Sequence, residues 1–151
     1  MGVLSPRDLD GIISWNHDIM EERGGQFQFN GGLIGEIFRK VNDFETDWEI
    51  EGVINPGIDY ELQTIVRQAT VLFCEIAHCQ PFLEGNRATA FYAGMVFLHR
   101  NGYHLPMTTQ RDKDDMFNLL DRTKASTGMI EEAFCQEMLD YLQTRITLTP
   151  A

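Results

Sequence analysis

Three adjacent residues with chemistry in them, Glu84, Gly85 and Asn86, sit in a short turn between two apolar segments. Pro81 has a fixed φ and no N–H, so a helix arriving through Cys79 cannot simply run on past it. After the turn a second apolar segment continues to Asn101-Gly102, a helix stop. A turn that carries a glycine and opens onto a helix start is a ready anion site. The first-turn N–H groups have no intrahelical partner, and the helix dipole favours negative charge there. The Glu84 carboxylate would repel a bare phosphate, but it can hold Mg²⁺ and share that ion with one. Together these residues point to a metal–nucleotide site.

The flanking segments supply a rigid mount. Upstream, Leu62, Ile65, Val66, Ala69, Leu72, Phe73 and Ile76 recur at spacings of three and four, the face of a long helix for which Asp59 is a candidate cap. Downstream, Ala90, Phe91, Ala93, Met95, Val96, Phe97 and Leu98 make a helix that is apolar nearly all round, the pattern of a buried helix. Nearer the N-terminus, Ser5-Pro6 starts a helix, Asp8 and Asp10 favour that end, and Gly24-Gly25 stops it. In Gln26, Phe27, Gln28 and Phe29 aromatic residues occupy every second place, which predicts a short strand or hairpin arm. The alternative is a plain loop whose two phenylalanines tuck into the core. Residues 33–42 predict a short helix carrying Leu33, Ile34, Ile37, Phe38 and Val41, and residues 43–58 a connecting loop. After Pro106, Thr108 or Thr109 caps a helix through about Lys124. A last helix runs from Ile130 to about Arg145, with a frayed tail after it. The expectation is an all-α fold: one compact domain over residues 1–151, with about six helices and a short β-hairpin.

Composition narrows the function. At 151 residues and 43% hydrophobic content, the chain is long enough for one domain with a real core. No apolar run reaches the length of a membrane span, and the first residues lack the basic and apolar regions of a signal peptide. The net charge of −11 argues against nucleic acid as a direct partner, because affinity for phosphate backbones comes mainly from Lys and Arg. An odd count of three cysteines suits a reducing cytoplasm. Cys74 reads as a small core residue, and Cys74, His78 and Cys79 lack the close pairs of a zinc site. His78 reads as a helix-end residue, His99 and Arg100 as solvated or structural, and His17 and His104 belong to no legible constellation.

The stretch PFLEGNRATA, followed by a helix ending in LHRNGY, resembles the signature of the Fic/Doc (Fido) family, closest to the Doc branch. The family pattern is roughly H-P-F-x-[DE]-[GA]-N-[KG]-R-[TS]-A. Pro81, Phe82, Glu84, Gly85, Asn86, Thr89 and Ala90 match it, and Arg87 stands where Doc proteins usually carry lysine. Two positions depart: Gln80 replaces the catalytic histidine and Ala88 the phosphate-binding arginine. The resemblance is strong over about residues 65–105. It implies a Fido-type helical fold with a target-aligning flap at residues 25–32, including Gln26, Phe27, Gln28 and Phe29, which works by strand addition. It makes Phe82 the loop's buried anchor, Glu84 the metal ligand, Gly85 and Asn86 the anion hole, and Arg87 a nucleotide-phosphate contact. The implied activity uses Mg²⁺ and ATP to transfer phosphate, as in Doc, or AMP, as in Fic proteins, to a hydroxyl of a target protein such as elongation factor Tu. The implied restraint is a separate antitoxin chain. The self-inhibitory helix of many Fic proteins has no match, since Thr127 and Glu131 have its spacing but Glu132 follows where glycine or asparagine belongs.

The departures set the expected activity. A glutamine amide takes up no proton near neutral pH, and loss of a general base costs about 10²–10⁴ in rate. Loss of a charge clamp on phosphate costs on the order of 10³ or more. The expectation is therefore a Doc-like toxin that is inactive or strongly impaired as written, either a natural pseudoenzyme or a disabled toxin. The alternative is a non-catalytic Fido-fold module that binds a protein or a nucleotide.

Overall fold

The computed structural model describes residues 4–42, 60–125 and 132–148. The predicted connecting loop, the Asp59 cap, and Thr127 with Glu131 lie outside those residues. Six helices are described: α1 (Pro6–Arg23), α2 (Gly31–Asn42), α3 (Tyr60–Cys79), α4 (Asn86–Arg100), α5 (Gln110–Ala125) and α6 (Glu132–Arg145). Two short strands, β1 (Tyr103–His104) and β2 (Thr147–Leu148), pair antiparallel, with Tyr103 opposite Leu148 and His104 opposite Thr147. The fold is mainly α with a small β element, as expected. The stretch just after α6 differs from expectation: instead of fraying, the chain runs through Ile146 into β2, which pairs with β1. The β-branched run Ile146-Thr147 suits an extended conformation.

Local sequence explains the ends of α1 and α5. Ser5 caps α1 in a reciprocal box with Asp8. Gly24 ends the helix in the left-handed region at φ 73°, and the Gly25 N–H reaches Met20 O at 2.8 Å to close a Schellman turn. Thr109 and Asp112 form the corresponding box ahead of α5. Those hydrogen bonds hold the Asp112 carboxyl below its ordinary range.

Helix α3 is the hub, packing against α2, α4, α5 and α6. The predicted face is buried from Ile65 and Val66 to Phe73 and Ile76, the Leu62 side chain lying outside what the structure describes, and Cys74 is a core residue as expected. Its closest approach is to α4. A Cβ on Gly94 would lie 2.3 Å from two atoms of the Phe73 ring, so only glycine lets the two backbones come this near. Helix α4 buries Ala90, Ala93, Phe97 and Leu98 and leaves His99 and Arg100 exposed. The motif turn thus joins two tightly packed core helices.

Candidate functional site

Residues 80–86 cross from the end of α3 to the start of α4. Gln80 is the only non-glycine residue at positive φ (53°) among the described residues, and it occupies the left-handed position that ends α3. Its N–H bonds Ile76 O at 3.2 Å, and its side-chain amide donates to Ala77 O at 3.2 Å. The loop turns again at Gly85, whose φ is 78° and whose α-face approaches α1; a Cβ there would meet Met20 Cε at 2.7 Å. The first helical bond of α4 runs from Thr89 N–H to Gly85 O at 2.9 Å. The N–H groups of Asn86, Arg87 and Ala88 therefore precede the helical ladder and have no intrahelical partner.

Two asparagines fix the loop. Asn86 is buried and spans the turn: its Oδ1 accepts from Phe82 N–H at 2.9 Å, and its Nδ2 donates to Phe82 O at 2.7 Å. Its side chain therefore points inward, and what it offers an anion is its main-chain N–H. Phe82 is buried, as expected of an anchor. Asn16 reaches over from α1 and donates to Glu84 O at 3.0 Å and to Thr89 Oγ1 at 2.9 Å. It is fully buried, and its Oδ1 has no partner among the described residues. Sequence reasoning missed Asn16 and the role of Thr89. The signal was present, since Asn16 is a polar residue four places from both Ile12 and Met20 on the stripe that faces the core.

The predicted flap lies against this loop. Residues 25–30 form no regular strand but make one antiparallel bridge, Phe29 with Phe82. Asn30 N–H donates to Pro81 O at 2.7 Å, and Leu83 N–H to Gln28 O at 2.9 Å. The segment pairs with the motif loop itself rather than folding back on a second arm. It ends where Asn30 caps α2, accepting from Leu33 N–H at 3.1 Å, so the last two residues of the predicted flap already belong to that helix. Neither phenylalanine is buried in the core. Phe27 is half-buried against the His17 ring at 4.9 Å, and Phe29 is 45% exposed. The Gln26 N–H donates to Glu84 Oε2 at 2.6 Å.

The remaining predicted residues are spread wider. Arg87 turns onto α5, with its guanidinium 3.0 Å from Asp121 and stacked over Phe117 at 5.0 Å. Ala88 contributes no side-chain donor. His78 faces α5 through Thr123 O at 3.3 Å, a helix-end role. Cys79 bonds Glu75 at 3.2 Å; burial, then that bond and the nearby carboxylate charge, push its thiol up to about 11. On the outer face of α1, His17, Asp18 and Glu21 bring ligand-type atoms within 4.8 Å of one another, a grouping the sequence reading did not find; all three are exposed.

The donors at the loop suit a magnesium–phosphate group in kind. One carboxylate at Glu84 can bind the ion, which usually takes few protein ligands, and three unpaired N–H groups face the start of α4. The cationic complement is thin, because Arg87 is committed to Asp121 and position 88 is alanine. Compared with known proteins, the chain matches no family model, no curated protein and no solved structure.

Proposed function

We propose that this chain is a Fic/Doc-like domain whose motif loop binds a magnesium nucleotide and whose flap segment receives a strand of a target protein. Transfer of phosphate or AMP to the target hydroxyl is nearly lost. The observation that carries the reading is the pairing of residues 28–30 with residues 81–83. It places a peptide edge directly beside the helix start that would hold the phosphate. The exposed large apolar residues among the described ones are Phe29, Leu33 and Leu83, all on or next to this pairing, which suits a protein partner there. A target translation factor and a restraining antitoxin are the partner classes this reading carries. Gln80 supplies no base and Ala88 no clamp, so nucleotide and target would bind with little turnover.

A second reading is favoured by one specific contact. The Glu84 carboxylate is already occupied by Gln26 N–H at 2.6 Å, which suits a binding module that never loads a metal. Amide NMR separates the two. On the first reading, MgATP shifts the amides of Gly85, Asn86 and Arg87 saturably and releases the Gln26 amide to faster exchange. No shift at those amides, with Gln26 protection unchanged up to millimolar MgATP, refutes nucleotide binding at the loop and leaves the protein-binding module.

A further inference from the structure

A cavity of about 560 Å³ lies between the N-terminal half of α1 and the C-terminal half of α4. That volume is in the range of small-molecule sites. It stands apart from the motif loop. Arg100 is fourteen residues along α4 from Asn86, or about 21 Å at 1.5 Å per residue. Its apolar wall includes Ile12, Tyr92, Val96 and Phe97, and Tyr92 is held flat against Trp15 with ring centroids 4.5 Å apart.

Its charged wall is unusual for this chain. Acids outnumber bases by 23 to 12 overall, yet two arginines, Arg7 and Arg100, meet at this cavity with one acid, Asp8. The Asp8 carboxylate is already satisfied. It accepts from Ser5 N–H at 2.8 Å and from Ser5 Oγ at 3.0 Å, and it pairs with Arg100 Nη1. Arg100 keeps its other donors and is 55% exposed. Arg7 has no ion pair or hydrogen bond among the described residues. The start of α1 and the end of α4 bring opposite dipole ends to the cavity, so the unspent arginine donors decide its sign.

We propose that this cavity binds a small organic carboxylate, with the apolar body against Ile12, Tyr92 and Val96 and the carboxylate on the free guanidinium donors of Arg7 and Arg100. The inference is independent of the nucleotide reading. Gly11 provides a sharp test, because a Cβ built there meets nothing within 4 Å. Gly11→Leu would fill the cavity mouth while strengthening α1, since glycine is the poorer helix former. Loss of binding in that variant could not then be ascribed to unfolding.

The experiment titrates the full chain with 4-phenylbutyrate and, separately, with its neutral amide, following amide NMR shifts. Expected are saturable shifts at Gly11, Ala93 and Val96 with the carboxylate and about tenfold weaker binding of the amide, as for loss of one charge-assisted pair. Arg7→Ala should weaken the carboxylate about fivefold or more by the same loss. Gly11→Leu should abolish the shifts with a raised melting temperature. Equal binding of acid and amide, shifts confined to another surface, no saturable shift by 10 mM probe (about the weakest affinity worth calling a site), or undiminished binding in a stable Gly11→Leu chain would each overturn the proposal.

Discussion

Replacing Asn86 by alanine tests how the motif loop is held. The side chain is 6% exposed and satisfies both polar groups of the Phe82 peptide backbone, at 2.9 and 2.7 Å. Alanine leaves a buried N–H and a buried C=O without partners, at about 1–3 kcal/mol each. Alanine is also the better helix former by roughly 0.5 kcal/mol. The net expectation is a loss of about 2–5 kcal/mol. With an m-value of about 2 kcal/mol/M, the urea midpoint falls by about 1–2.5 M. Equilibrium urea unfolding, followed by far-UV circular dichroism, measures this directly. Hydrogen exchange adds a local readout, because the Phe82 amide should lose protection more than its neighbours on α3. Asn86→Asp keeps an acceptor for the Phe82 N–H but sets a carboxylate against the Phe82 carbonyl. Its loss should shrink as pH falls and the acid gains a proton to donate. A midpoint shift equivalent to less than about 1 kcal/mol for Asn86→Ala would show that the loop does not depend on this clamp.

Three other outcomes follow from the geometry. Gly94→Ala should destabilise by at least about 1 kcal/mol despite the better helix propensity, because the new methyl meets the buried Phe73 ring at 2.3 Å; stabilisation on thermal unfolding would contradict the close packing of α3 on α4. Gln80→Gly should stabilise by about 0.5–1 kcal/mol by relieving a side chain held at φ 53°, even though a half-exposed bond to Ala77 O is lost; a lowered melting temperature would refute the strain. With its pKa pushed up to about 11 by burial and by Glu75, the Cys79 thiol stays protonated at pH 8. Its alkylation should be about 100-fold slower than in the unfolded chain and should quicken in Glu75→Gln; equal rates for folded and unfolded protein would contradict the burial.

What the sequence made legible was local. Ser5-Pro6 and Gly24-Gly25 carry their own hydrogen-bond partners within a few residues, so the ends they mark were readable; ahead of α5 the sequence left Thr108 and Thr109 open, and the structure pairs Thr109 with Asp112. The α3 face was readable because seven apolar positions, Leu62 to Ile76, repeat at helical spacing. What it did not show depends on residues far apart in the chain. The Asn16 reach to Glu84 spans 68 positions, and the pairing of Gln28 with Leu83 leaves only an alternating pattern in one partner. That pattern predicted a strand or hairpin arm; the structure has a single bridge, Phe29 with Phe82, and the pattern could not name that mate. Arg87 shows the same limit in the site: its charge was legible, but its commitment to Asp121 and Phe117 is a packing outcome on α5. The cavity at Arg7 and Arg100 was invisible for the same reason, since 93 positions separate its two cations.

The most direct test of the central claim compares this chain with a Gln80→His, Ala88→Arg version, each incubated in a bacterial lysate with Mg²⁺ and ATP labelled at the α or the γ phosphate. The account predicts that the repaired chain labels a protein and the chain as it stands does not, with the label's position separating AMP from phosphate transfer. Labelling by the unrepaired chain would contradict the role given to Gln80. Absence of labelling by the repaired chain, when it is folded and binds MgATP, would contradict the transferase reading itself.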